Sequence, residues 1–221
     1  RALAGLAVQV DDDAVDLDIK IRDWPATDLL RIIGSALEVE SVVSGDVRLQ
    51  GTRSKPLGHA NLTSAAGQAF GVDFAKAELS LNLQGEAIRI ESLNALVGGG
   101  NLLVRGTLSE IDGSSAFAGD LDLREIELAD LGLQDPKSPM VGGHITGRAT
   151  VSGPVDRPRL QAHFESNRIF YGDEGIGAVA VDIQGAGDGV LNVVGHSDSP
   201  RFQASVAGTI EAKAPHQSRL Q

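Results

Sequence analysis

Apolar and polar residues alternate with a period of two along almost the whole chain, and this pattern limits the fold more than any other feature. Leu17, Ile19 and Ile21, then Leu79, Leu81 and Leu83, then Ile88 and Ile90, show it in the first half. Leu121 and Leu123, then Val179, Val181 and Ile183, then Phe202, Ala204, Val206 and Ile210, show it in the second. In an extended backbone successive side chains point to opposite faces, so each run gives a strand with one apolar side. The runs end at Gly, Asp, Asn or Pro, the residues that supply turn conformations. An all-β chain of ordinary-length strands is expected. The 27 glycines and the low aromatic content of 4% suit many turns and an aliphatic, Ala-rich apolar face.

One stretch departs from the pattern. In "TDLLRIIGSALEVE" (27–40) Leu29, Leu30, Ile32, Ile33 and Leu37 fall at helical spacing behind Thr27, a candidate N-cap. A short helix near 27–37 is expected, plugging one end of the sheet, with Trp24 anchoring its packing.

The chain also repeats itself. "LSLNLQG" (79–85) matches "VAVDIQG" (179–185), "LLVRGTL" (102–108) matches "ASVAGTI" (204–210), and "PLGHANL" (56–62) matches "PRLQAHF" (158–164). "DLDIKIRDWPATDL" (16–29) matches "DLDLREIELADL" (120–131) if two residues are gapped near its end. The expected organisation is two units of about 100 residues, spanning 16–119 and 120–212, with 213–221 as a tail. The strand pattern is already under way by Leu6, and the chain reads as a fragment of a longer one. The linking stretch "VSGPVDRPRLQAHFE" (151–165) carries Pro154 and Pro158 between two alternating runs. Prolines cannot donate a ladder hydrogen bond, so they mark a hairpin corner and are expected to discourage pairing at a sheet edge.

Charge and motifs exclude several functions. A net charge of −11 repels nucleic acid and anionic bilayer surfaces, so no nucleic acid is expected as a partner. No cysteine is present, which removes disulfides and thiolate metal sites. Asp11, Asp12 and Asp13 read as a solvated turn, and "VGGG" (97–100) and "GAGDG" (185–189) as turns, not tandem calcium repeats. His59, His144, His163, His196 and His216 show no zinc or triad spacing. Asp120, Asp122, Glu125 and Glu127 are close in sequence, but Asp120 and Asp122 share the wet face opposite Leu121 and Leu123. Asn61-Leu62-Thr63 fits a glycosylation sequon, of consequence only in a eukaryotic secretory protein. No catalytic residue, metal site or cofactor is assigned, and the chain is read as a non-enzyme.

The unit "GHITGRATVSGPVDRPRL" (143–160), followed by "AVAVDIQG" and closing on "FQASVAGTI", resembles the C-terminal β-repeats of the TamB/AsmA-like family, inner-membrane components of the translocation and assembly module. The resemblance implies an elongated, twisted β-sheet folded into a trough with a hydrophobic concave face. It implies a place in the periplasm, an inner-membrane anchor elsewhere in the full-length protein, and an outer-membrane barrel partner, TamA. The expected function is to shield phospholipid acyl chains as they pass between the two membranes, and to support outer-membrane protein assembly.

Residues are assigned to the groove by alternation and repeat. In the first unit they are Leu79, Leu81, Leu83, Ile88, Ile90, Leu102, Val104 and Leu108. Across the junction they are Leu121, Leu123, Ile145, Val151, Leu160 and Phe164, and in the second unit Val179, Val181, Ile183, Leu191, Val193, Ala204, Val206 and Ile210. Roughly 16–18 strands at ~4.8 Å each would make a conduit about 80 Å long. The alternative is a solenoid or sandwich segment of a surface adhesin, in which the same residues fill a closed core; a carbohydrate-active β-helix enzyme is a more distant third reading. Open edge strands in such a fragment are expected to allow a homodimer.

Overall fold

The computed structural model describes residues 7–11, 14–32, 38–52, 55–111, 114–131, 141–155, 157–199 and 202–211. Strands β1 (Ala7–Asp11) and β2 (Ala14–Pro25) lead into helix α1 (Ala26–Ile32). Then come β3 (Val39–Thr52), β4 (Lys55–Ala69), β5 (Val72–Gln84), β6 (Ala87–Val97), β7 (Gly100–Ile111) and β8 (Ser114–Glu127). A 3-10 turn (Leu128–Leu131) and the two-residue β9 (Val141–Gly142) precede β10 (His144–Pro154), β11 (Arg159–Tyr171), β12 (Glu174–Ala186), β13 (Val190–Ser199) and β14 (Phe202–Glu211).

All strands belong to one antiparallel sheet whose spatial order follows the chain from β1 to β14, with only β9 off the path, beside β11. The sheet is open: β1 and β14 stand at opposite ends and do not pair with each other. Strand twist turns so long an open sheet into a trough. Tight turns make the meander possible. Phe70-Gly71 joins β4 to β5 and Gly98-Gly99 joins β6 to β7, each with positive φ at both residues (53° and 79°, 51° and 71°), the hairpin geometry that matches strand twist. The "GAGDG" stretch likewise supplies the β12–β13 turn, with Gly187 at φ 88° and Gly189 at φ 82°.

Several expectations need correction. The strands are not of ordinary length: most run 10 to 15 residues, because Ala, Gly, Ser and Thr carry the extended backbone past the end of each aliphatic run. Among the described residues the sheet therefore has fewer, longer strands than the 16–18 expected. The helix starts at Ala26, so Thr27 lies inside its first turn and does not cap it. Residues 33–37, where the helical pattern continued, lie outside the described residues, and Val39 and Glu40 are already strand. Pro154 and Pro158 do mark a hairpin corner, where Arg157 N–H donates to Pro154 O (3.1 Å), while Val155 N–H extends the pairing of β10 with β8 by donating to Ser115 O (2.9 Å). That corner joins two interior strands, so the prolines protect no edge strand.

Pairing registers place the two halves of the sheet at a spacing of 102 residues. The cross-strand row Ile21–Gly45–Leu62–Leu79–Leu93–Val104 in β2 to β7 is matched, residue for residue at +102, by Leu123–Gly147–Phe164–Val181–Gly195–Val206 in β8 to β14. A bulge recurs with it. Asp23 (φ 49°) and Glu125 (φ 52°) both adopt a left-handed backbone at a register shift. Asp23 N–H donates to Ser44 Oγ at 3.0 Å, and that hydroxyl donates to the Asp23 carboxylate at 3.3 Å. Glu125 and Thr146 repeat the clasp at 3.2 and 3.3 Å. Helical turns follow both bulges, α1 after β2 and the 3-10 turn after β8. The equivalent units thus start at β2 and β8, and a boundary between 119 and 120 falls inside β8. No gap is needed to align residues 16–29, and Leu79 corresponds to Val181, two residues beyond the partner that sequence matching gives it.

Candidate functional site: the apolar face

Residues paired directly across neighbouring strands lie on the same face of a sheet, so the registers define the face. One row runs Ile19–Val47–Ala60–Leu81–Ile90–Gly106–Gly119–Val151–Leu160–Gly185–Leu191 and on to the backbone of Ile210. A second runs Ile21–Gly45–Leu62–Leu79–Leu93–Val104–Leu121–Ala149–Ala162–Ile183–Val193–Gly208. A third contains Ala77, Ala95, Leu102, Leu123, Gly147, Phe164, Val181, Gly195 and Val206. A fourth holds Leu17, Leu49, Gly58, Leu83, Ile88, Leu108 and Phe117. The first two rows cross every strand on the path from β2 to β14, all but β9, without a charged residue.

The opposite face is mainly polar, although Leu57, Leu103 and Val194 lie on it. Asp122, Arg148, His163 and Asp182 form a ladder across β8, β10, β11 and β12. Within it Arg148 Nε meets the Asp122 carboxylate at 2.7 Å, and His163 Nδ1 lies 2.7 Å from that of Asp182. Asp120 accepts from Thr150 Oγ1 at 3.2 Å, and Glu127 accepts from Gly143 N–H at 2.7 Å. The acidic residues close in sequence are therefore taken up by donors of a neighbouring strand or loop. Among the described residues no three His, Asp or Glu side chains stand where they could share a metal ion.

Burial distinguishes a trough from a closed core. The assigned residues from Leu79 to Val193 are part-buried, and Val206 is 69% exposed. Inner-face glycines report the space above them. A Cβ at Gly195 would meet only Val181 Cγ2 (3.8 Å) and Ala180 O (3.9 Å), both from the adjacent strand, and one at Gly208 would meet nothing within 4 Å. No opposing wall presses on that part of the face. Elsewhere aromatic rings lie over the glycines: Phe117 covers Gly106 and Gly119, and Phe164 covers Gly147, keeping the lining apolar where a side chain is missing.

Ile21, Ala149 and Ala162 are buried singly on the face, and one rim at mid-sheet is packed as a cluster. There Ile126 (1% exposed), Ala95 and Val97 form a buried cluster with Val72, Phe74, Leu102, Leu123, Leu131 and Ile145 packed against it. Leu131 comes from the 3-10 turn, which reaches from β8 to β5 and covers the strand ends. Ile145 and its neighbour Ile126 thus belong to a small true core. Hydroxyls interrupt the face, among them Ser64 and Ser166, buried and 102 residues apart, and part-buried Ser197; Ser64 Oγ donates to Ala66 O (3.4 Å), Ser166 Oγ accepts from Arg168 N–H (3.2 Å) and Ser197 Oγ donates to Ala178 O (3.0 Å).

All residues assigned to the groove from the sequence fall on this one face by register, except that the side chain of Ile210 lies outside the described residues. Sequence reading omitted Leu93, Phe117, Leu62, Leu49 and Val47, which lie on it too. Leu93 escaped because the bulge in β6 separates it from Ile90 by two residues instead of one. The first unit's strands β3 and β4 escaped because Gly45 and Gly58 take apolar places there. Compared with family models, curated proteins and solved structures, the chain matches none.

Proposed function

We propose that this chain is a segment of a periplasmic groove that holds phospholipid acyl chains and lets them pass along its length between two membranes, without catalysing a reaction. The observation that carries this reading is the pair of uninterrupted apolar rows from β2 to β14, most of whose side chains remain part-exposed while Ile21, Ala149 and Ala162 are buried. Two acyl chains of ~15 methylenes each lose on the order of 24 kcal/mol when exposed to water, at ~0.8 kcal/mol per group. A continuous aliphatic lining shields them at every position. It also offers no discrete polar contact that would hold a lipid at one point. Thirteen strands lie along the path, and twelve steps of ~4.8 Å give a groove of about 58 Å, longer than a single lipid. The inner-membrane anchor, the TamA-type barrel partner and the support of outer-membrane protein assembly belong to the same reading through the family resemblance.

Native mass spectrometry of gently purified protein, with organic extraction of whatever it carries, tests the proposal. Co-purifying phospholipid is expected. A lipid-free protein that also ignores added phospholipid would reject the groove in favour of an adhesin-like sheet.

A further inference from the structure

The apolar face is open along one rim and shut along the other. Across its width the rows stand in the order fourth, first, second, third, as the run Leu108, Gly106, Val104, Leu102 along β7 shows. Among the described residues none in the fourth or first row is buried. Ile21, Ala149 and Ala162, all of the second row, are buried. So are Ala95, Val97, Ile126 and Ile169, in the third row or between it and the neighbouring turns. The 3-10 turn closes over that side at mid-sheet, where Leu131 reaches the buried cluster, and β9 lines it at the end of β11. Among the described residues the opposite rim carries only the β3–β4, β5–β6, β7–β8, β10–β11 and β12–β13 turns.

The width of the face fits one lipid laid across it. Leu102 and Leu108, in the outermost rows, are six residues apart, about 20 Å of strand. An acyl chain fills one leaflet, half of a ~30 Å hydrocarbon core, or ~15 Å. Tails lying along the strands therefore take up most of the width, and a headgroup fits past one rim only. Charge favours the open one. Glu38, Asp73, Asp130, Asp173 and Glu174 stand at the closed rim against Arg31 and Arg168, whereas at the open rim Lys55, Arg157 and Arg159 balance Glu86, Glu110 and Asp188. A phosphate is repelled less there.

We propose that each phospholipid lies crosswise in the groove, with its acyl chains along the strands, its headgroup beyond the open rim and its methyl ends against the closed rim; this rests on the lipid-groove reading and adds the orientation. Lipid then moves sideways from strand to strand, and no headgroup has to cross an apolar row. The buried cluster and the 3-10 turn act as a floor for the chain ends and keep the molecule from turning end for end.

The protein's single tryptophan is placed to report this. Trp24 pairs with Val43, and Val43 with Ser64, which sets it in the third row, on the closed side, where it is part-buried. The protein is loaded with phosphatidylcholine brominated either beside the carbonyl end or beside the methyl end of its chains, separated from vesicles, and its bound phosphorus measured. Methyl-end bromines are expected to quench Trp24 more than carbonyl-end bromines. In a variant carrying Trp24→Phe and Leu108→Trp, which moves the reporter to the open rim, the order should reverse. Stronger carbonyl-end quenching of Trp24, equal quenching from both lipids, or none while phosphorus shows lipid bound, overturns the orientation and leaves the groove standing. Protein that emerges without phosphorus overturns the groove and the orientation with it.

Discussion

Substituting Val181→Asp distinguishes an open face from a closed core by the size of its cost. Val181 is part-buried between Phe164 and Gly195 in its row, and a Cβ at Gly195 would meet nothing within 4 Å except atoms of the adjacent strand. A carboxylate at position 181 can therefore reach water. What is lost is roughly half the burial of a valine side chain, about 1 kcal/mol. The poorer fit of Asp to a strand adds up to ~1 kcal/mol, giving about 1–2 kcal/mol in all. In a closed core the same carboxylate would be unpaired and dry, at a cost of ~3–5 kcal/mol or more. Ile126→Asp supplies the internal reference. Ile126 is 1% exposed within the mid-sheet cluster, so there the full penalty applies and the protein should unfold or lose most of its stability. Urea titrations followed by far-ultraviolet circular dichroism measure both. A Val181→Asp variant as damaged as Ile126→Asp, or destabilised by more than ~4 kcal/mol, would refute the open face.

Two further outcomes follow from local geometry. Thr146→Val removes the hydroxyl that clasps the Glu125 bulge and Ser44→Ala the one that clasps Asp23; each should cost about 1 kcal/mol in urea melts, and the double variant should show their sum to within ~0.5 kcal/mol. Gly106→Ala would set a Cβ 2.6 Å from the Phe117 ring and 2.7 Å from Ala118 O, costing ~1–3 kcal/mol. Gly208→Ala meets nothing within 4 Å and should leave the thermal midpoint unchanged or raise it slightly.

The period-two pattern made the face of the sheet legible because a strand has only two faces. Once Leu79 is on one side, Leu81 and Leu83 must share it, whatever lies beyond. Strand length was less legible, since Gly58, Ala60 and Ala77 give no apolar signal yet hold places in the rows. Bulges were hidden for a different reason. The left-handed backbone of Asp23 and Glu125 depends on a hydroxyl one strand away in space and 21 residues away in sequence, a partnership no local pattern announces. The same degeneracy shifted the repeat. Matching "LSLNLQG" with "VAVDIQG" slips by two residues from the structural correspondence, and a slip of two keeps every side chain on its face. Only the pairing of Leu62 with Leu79 and of Phe164 with Val181 separates the two alignments.

At the corrected spacing, the equivalent positions keep their polarity but not their shape. Leu62 becomes Phe164, Leu79 becomes Val181, and Leu93 becomes Gly195. A closed core is packed to near-crystalline density, and changes of this size in one wall demand matching changes in the wall opposite. A surface that shelters fluid hydrocarbon demands only that each position be apolar. Exchanging Leu79→Val and Val181→Leu tests this directly, because the two sites are equivalent, distant and part-buried. On an open face each change should cost less than ~1.5 kcal/mol, with costs that add and a lipid content that stays at the wild-type level. Strong non-additivity would show that the two positions press against a common wall, and a fall in lipid content at unchanged stability would show that their shape, not their polarity, is what the bound chain reads.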